Sequence, residues 1–165
     1  MANNFEINFD PDCMIPPSSG SPGRGIAQNR PFLAFDGAAD ETIYTPAFRM
    51  PTAFSGSGTL KLALGYFMAS ATSGDVIWAC QVEAVTDADA VDLDSASSLD
   101  TANTATVTVP GTQGHLDVAT ITLTNKDSVA AGDMVRLAIY RDADAGGDNA
   151  SGDAHLLYAT LYEEV

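Results

Sequence analysis

The chain has 165 residues, of which 45% are hydrophobic, and its 22 acidic and 7 basic residues give a net charge of −15. This length suits one domain with its own core, and the hydrophobic fraction excludes a wholly disordered chain. The negative charge disfavours nucleic acids and anionic membranes as partners, because the field of the protein repels both.

The first 30 residues are rich in proline and glycine and predict an extended N-terminal arm, residues 1–30. Within it, the segment 5–9 alternates apolar and polar residues, so it could add as a short strand to the edge of a sheet. A disordered tail is the alternative interpretation of the same composition. The apolar residues of the arm are candidate anchors on a partner surface: Phe5, Ile7, Phe9, Met14 and Ile15.

The rest of the chain, residues 31–165, is predicted to form a domain built of strands. Eight segments alternate or are continuously apolar: 31–36, 42–50, 60–68, 76–85, 104–109, 116–124, 134–141 and 155–163. The stretch 58–86 is predicted to be the central hairpin, with two long strands joined by a tight turn at 70–75. Gly74 in this turn is free to adopt a positive φ.

No segment has the periodicity of an amphipathic helix, which excludes parallel sheets because these need crossover helices. We therefore predict an all-β fold, an antiparallel β-sandwich of jelly-roll type with about eight strands in two four-stranded sheets. An immunoglobulin-like sandwich is less favoured, because the spacing of paired cysteines and a tryptophan that is typical of that class is missing.

The two cysteines, Cys13 and Cys80, fit no zinc-binding spacing. Cys80 shares a strand face with Val76 and Trp78, so we expect a buried thiol that packs as a small hydrophobic side chain. Cys13 lies in the predicted arm. A disulfide between them is the less favoured alternative, because one possible pair makes no disulfide framework.

No catalytic motif occurs in the chain. The nucleophile elbow GxSxG, the zinc motif HExxH, the P-loop and a GxGxxG that opens a helix are all absent. The two histidines, His115 and His155, are far apart in sequence and have no nucleophile motif beside them. We therefore expect a protein that is not an enzyme, with no catalytic residues, no cofactor and no assigned metal site.

The loop 142–153 holds the candidate ligands for a cation such as calcium: Asp142, Asp144, Asp148 and Asp153. Hard oxygen donors on a flexible loop are the ligands that calcium prefers. The spacing does not match an EF-hand and the closing glutamate is missing, so solvated carboxylates are the favoured interpretation.

Alternating threonines mark one side of two predicted strands: Thr104, Thr106 and Thr108, then Thr120, Thr122 and Thr124. Threonine is a good strand former, and such rows predict a sheet surface that faces solvent. A polar contact between subunits is the alternative.

Three segments carry a resemblance to a known group of proteins: FDGAADETIYTPAFRMP, SATSGDVIWACQVEAV and AAGDMVRLAIYRDADAGGDNASGDAHLLYATLYEE. Over about residues 31–165, the chain resembles small jelly-roll proteins found with the virion structural genes of tailed bacteriophages and prophages. The resemblance implies a head decoration, or cement, protein that binds the major capsid protein and assembles as a homotrimer. It implies no active-site residues.

Such a protein is expected to be made in the host cytoplasm, since its N-terminus lacks the pattern of a secretion signal, and to lie on the outer capsid surface of the virion. The arm would then reach a neighbouring subunit and bury its apolar anchors there. The alternative is a receptor- or glycan-binding domain of a head or tail fibre, which would contact its ligand through the loops 87–103 and 142–153. A carbohydrate-binding module of a cellular enzyme is a more distant alternative.

Overall fold

Eleven β-strands and one short 3-10 helix lie within residues 3–165, the part of the chain that the structure, a computed structural model, describes. The strands are β1 (Asn3–Phe9), β2 (Gly23–Ala27), β3 (Arg30–Phe35), β4 (Glu41–Tyr44), β5 (Phe48–Arg49), β6 (Thr59–Met68), β7 (Asp75–Val85), β8 (Asn103–Thr108), β9 (Asp117–Thr122), β10 (Met134–Arg141) and β11 (Ala154–Glu164). The 3-10 helix, Pro11–Cys13, follows β1. No helix in this part of the chain has the length and apolar character needed to cross a membrane.

The strands form two antiparallel sheets that pack face to face around one core. Sheet A has the strand order β2-β3-β11-β6-β9, with β1 also paired to β11, and sheet B has the order β4-β10-β7-β8, with β5 paired to β10. This confirms the predicted antiparallel β-sandwich. The sheets have six and five strands rather than four each. The reason is that the N-terminal residues add β1 and β2, and the segment around Pro46 separates β4 from β5.

Alternating side chains of both sheets fill the core, and its centre is aromatic. The ring of Trp78 meets those of Phe35 and Tyr66 edge to face, with centroids 5.1 and 5.3 Å apart. Trp78 and Cys80 are fully buried, as the strand pattern predicted. Both cysteines are free, and burial raises the pKa of the Cys80 thiol, so it packs as an uncharged group.

The predicted central hairpin is wrong, because its two arms lie in different sheets. β6 pairs with β11 and β9 in sheet A, whereas β7 pairs with β10 and β8 in sheet B. The link 69–74 crosses between the packed sheets, a distance of about 10 Å. A crossing link and a hairpin produce the same alternation along each strand, so the pattern alone does not distinguish them. Gly74 adopts the expected positive φ, 96°.

The residues assigned to the arm differ most from expectation, because they are part of the sandwich. β1 pairs with residues 159–164 of β11, along the same edge that β3 occupies at residues 154–156. β2 pairs with β3. Since β11 is longer than β3, half of its edge would otherwise leave unpaired backbone groups, and β1 covers it. The boundary predicted at residue 30 therefore separates no arm from the domain in this structure.

A buried carboxylate joins the two ends of the chain. Glu163 on β11 is fully buried and accepts hydrogen bonds from the Asn4 side chain at 2.6 Å and from the backbone N–H of Ser55 at 2.9 Å. The Ser55 hydroxyl and the Gly58 N–H donate two more, at 2.8 and 3.1 Å. Burial acts to raise the pKa of this carboxyl, but the four hydrogen bonds outweigh it and lower the pKa to about 2.

Candidate functional site

The outer face of sheet A, opposite the core, carries a cluster of half-buried rings that we call the aromatic face: Phe32, Phe67, His155 and Tyr158. The imidazole of His155 stacks on Phe32 with centroids 4.1 Å apart and planes inclined by 11°. The ring of Phe67 meets His155 edge to face at 4.9 Å. Three neighbouring strands, β3, β11 and β6, thus place their rings side by side on one surface.

Two glycines make room for rings on this surface. Gly65 of β6 stands opposite Tyr158, and a Cβ at Gly65 would overlap the tyrosine ring. Gly25 of β2 stands opposite Phe32, and a Cβ there would overlap the phenylalanine ring in the same way. Each ring therefore occupies the space that a side chain at the facing glycine would fill.

A β-bulge re-aims the side chains of β11 at this point. The pairing of β11 with β6 shifts by one residue between Leu156 and Tyr158, so Leu157 has no partner. Leu156 and Ala159 remain in the core, while Leu157 and Tyr158, adjacent in sequence, are both half-buried outside it. Bulges commonly occur where a sheet has to redirect a side chain. Here the bulge adds an apolar side chain next to the tyrosine ring.

An open groove of about 450 Å³ lies beside the aromatic face. Its lining is Ala27, Gln28, Arg30, Phe67, Gly114, Leu116 and Leu157. The β2–β3 turn forms one wall and the loop before β9 forms the other. Leu116 in that loop is 58% exposed, so its side chain is accessible from the groove. An apolar floor with a few polar groups at its rim is typical of a ligand-binding cleft.

Few polar or charged side chains line the groove. Arg30 is the one charged residue among the lining residues that the structure describes, in a protein of net charge −15. Nδ1 of His155 is buried without a hydrogen-bond partner, and burial lowers the pKa of this imidazole below its ordinary value, although the nearby Asp153 acts against the shift. The aromatic face is therefore uncharged at neutral pH.

The five apolar residues predicted to anchor an arm on a partner lie mostly in or against the core of this chain. Phe9 and Met14 are buried, at 4% and 3% exposure, and Phe5 and Ile7 pack against the core with part of their surface. Phe5 meets Phe54 at 6.2 Å, and Phe9 meets Phe48 at 5.3 Å between ring centroids. Ile15 alone of the five is exposed, at 50%. These residues therefore form no common surface for a partner.

The loop 142–153, which holds the candidate cation ligands, is organised around a positive side chain of the protein itself. Arg141, fully buried, forms an ion pair with Asp148 at 2.6 Å, and its guanidinium also donates to the carbonyls of Ala150 and Gly152 at 2.7 and 2.6 Å. Asp148 further accepts the N–H of Ile77 at 2.9 Å. The oxygens that a bound cation would take are thus occupied by the guanidinium.

The other candidate ligands of this loop lie near its surface and are not brought together. Burial and the neighbouring carboxylates of Asp40 and Asp144 raise the pKa of Asp142. Asp153 lies just before β11, where its negative charge favours a higher pKa for both Glu41 and His155. Between residues 3 and 165, no group of three or more His, Cys, Asp or Glu side chains is placed to hold a metal ion.

The two threonine rows lie on the exposed sides of the edge strands of the two sheets. Thr104, Thr106 and Thr108 are exposed on β8, and Thr120, Thr122 and Thr124 are exposed on and just after β9. This agrees with the prediction of a sheet surface that faces solvent.

Comparisons with known proteins give a likeness in fold. No protein family matches the sequence, and no curated protein matches it. Among solved structures, the chain is similar to the C-terminal carbohydrate-binding module (CBM6) of LamC, a marine laminarinase from Zobellia galactanivorans. The TM-score is 0.53 over 96% of this chain and 100% of that chain, with 10% sequence identity. The likeness confirms the predicted jelly-roll type of sandwich.

The sequence analysis did not identify the aromatic face, because its rings come from three separate strands. Alternation alone places Phe67 outside the core, because Tyr66 and Met68 face inward. The glycines opposite the rings are a further signal, but they can be used only when the strand register is known. The bulge at Leu157 shifts that register by one residue, and no local sequence pattern marks it.

Proposed function

We propose that this chain is a non-catalytic glycan-binding domain, whose site is the aromatic face of sheet A together with the adjoining groove. The observation that carries the proposal is the ring of Tyr158, which covers Gly65 and follows Leu157, a residue that lines the open groove. The less polar face of a pyranose ring packs well against the face of an aromatic ring, because its C–H groups meet the negative face of the π system. Polar groups at the rim then orient the hydroxyls.

The charge of the protein favours an uncharged saccharide. A net charge of −15 creates a field that repels uronates and sulfated sugars, and Arg30 is a single positive charge against it. The fold likeness to a carbohydrate-binding module is in keeping with this proposal. Within a virion, the same activity would belong to a receptor- or glycan-binding domain of a head or tail fibre.

Affinity electrophoresis in native gels that contain laminarin, galactomannan or alginate tests the proposal. We expect at least one of the two uncharged polysaccharides to retard the protein, and alginate to leave it unretarded. Tyr158→Ala and Phe67→Ala should weaken binding at least about fivefold, which corresponds to ~1 kcal/mol of stacking energy. Tyr140→Ala, a half-buried tyrosine on the outer side of sheet B, is the matched control and should bind normally. Retardation that is equal in all four proteins would contradict the proposal.

A second proposal is a head decoration protein that binds the major capsid protein as a homotrimer, without enzymatic activity. Its support is the sequence resemblance over residues 31–165, together with the exposed threonine rows of β8 and β9, which offer polar surfaces for contact between subunits. Because β1 lies in the sandwich, this role would use a surface of the folded domain rather than an arm. Co-sedimentation with expanded empty capsids separates the two proposals: saturable binding at high copy number supports decoration, and no binding favours the glycan-binding role.

A further inference from the structure

The turn between β2 and β3 has an unusual backbone. Its two central residues, Gln28 and Asn29, both have positive φ, at 49° and 64°. Two-residue hairpin turns of this kind favour asparagine, aspartate and glycine, because a short polar side chain or none tolerates the left-handed region. Asn29 fits this rule. Gln28 does not, since glutamine has a longer side chain and is held in a conformation that costs free energy.

Gln28 and Asn29 differ in their position relative to the groove. Gln28 lines the groove beside the aromatic face, as does Arg30, and Asn29 is not part of the lining. The other lining residues that the structure describes have no polar side-chain atoms: Ala27, Phe67, Gly114, Leu116 and Leu157. Hydrogen bonds from side chains to a ligand in this groove therefore come from Gln28 and Arg30.

We propose that Gln28 is a specificity-determining residue of the glycan site, an inference that rests on the proposed function. Its amide carries both a donor and an acceptor, so it can bind two neighbouring hydroxyls of a sugar whose apolar face packs on the aromatic face. Glutamine stays neutral, which suits an uncharged ligand. The positive φ of Gln28 costs free energy, and in this proposal the strained turn places the amide at the groove. Strained residues commonly cluster at binding sites.

Two glycine variants of the same turn test this inference. Gln28→Gly and Asn29→Gly both relieve a left-handed residue, so both should raise the melting temperature, by roughly 1–3 °C. Only Gln28→Gly should lose affinity for the polysaccharide that retards the wild type, laminarin or galactomannan, by about three- to tenfold for one or two lost hydrogen bonds. Gln28→Asn keeps the amide on a shorter side chain, so its affinity should lie between the two.

The ratio of affinities for laminarin and galactomannan gives a readout that a purely structural turn would not change. We expect this ratio to move toward one in Gln28→Gly and to stay at the wild-type value in Asn29→Gly. Wild-type affinity and an unchanged ratio in Gln28→Gly, with Tyr158→Ala still impaired, would overturn the role of Gln28 and leave the proposed function in place. Failure of the wild type to bind any uncharged polysaccharide would overturn the proposed function itself.

Discussion

Glu163 is a buried carboxylate whose charge is stabilised by hydrogen-bond donors of the protein. Four hydrogen bonds hold it, and they connect β11 to β1 and to the loop before β6. Because its pKa is lowered from 4.5 to about 2, the folded state favours the ionised form. The stabilisation is therefore complete above about pH 4.5 and is lost as the pH falls toward 2.

Glu163→Gln should lower the free energy of unfolding by about 1–3 kcal/mol at pH 7, because the amide places a donor against buried donors. The difference from the wild type should shrink as the pH falls from 4.5 to 2, where the wild-type carboxyl takes up its proton. Urea denaturation across this pH range measures it, with the exposed Glu6→Gln as control. A difference that stays constant down to pH 2 would contradict the assignment.

Arg141, at the end of β10, and Asp148, in the following loop, form a buried ion pair in which each charge compensates the other. Removing one partner of a buried pair leaves an uncompensated charge, so Arg141→Met should destabilise the fold by about 3–5 kcal/mol. The double variant Arg141→Met, Asp148→Leu should recover much of this loss, since no charge is left buried. Urea denaturation of the single and double variants measures this: equal instability of both would contradict the expectation, because the unpaired charge of Asp148 would then contribute nothing to the loss.

At the residue scale, the sequence predicted the burial of side chains better than it predicted their ion-pair partners. The burial of Trp78 and Cys80 follows from strand alternation, and the positive φ of Gly74 follows from the composition of its link. By contrast, the ion pair of Arg141 with Asp148 depends on how the loop folds back, which neighbouring residue types do not determine. The loop aspartates were therefore candidate cation ligands, with solvated carboxylates the favoured interpretation, whereas Asp148 is paired with an internal guanidinium.

At the scale of elements, the question is whether β1 stays paired with β11 and so belongs to the folded domain. Phe9→Ala should cost about 3–5 kcal/mol, as expected for a large aromatic side chain removed from a core. Glu6→Ala on the exposed side of the same strand should change stability by less than about 0.5 kcal/mol. Urea denaturation of both variants is the measurement. If Phe9→Ala were as stable as the wild type, β1 would be detached in solution, as the arm hypothesis requires.

Strand positions were predictable and strand pairings were not. Each of the eight segments predicted after residue 30 overlaps a strand of the structure, and 42–50 overlaps two. Alternation is a local property, so it reveals strands directly. Pairing depends on residues distant in sequence: β6 and β7 are neighbours in the chain yet lie in opposite sheets, and β1 pairs with the last strand. The aromatic face, which combines β3, β11 and β6, could not be predicted without these pairings.

At the scale of the whole molecule, the two sheets present different surfaces. The outer side of sheet A has stacked rings and an open groove, while the loop after β10 contains the buried ion pair of Asp148 with Arg141. The net charge of −15 sets the class of ligand that can approach either surface. For this reason we propose an uncharged saccharide as the ligand of the aromatic face.

Mapping the amide chemical shifts of the wild-type protein by NMR, during a titration with laminarin or galactomannan fragments, tests the central claim most directly. We predict that the shifts are concentrated on the β2–β3 turn and on the segments of β6 and β11 around Phe67 and Tyr158. Shifts confined to sheet B or to the loop 142–153, or no shifts with either uncharged saccharide, would contradict a glycan site on the aromatic face.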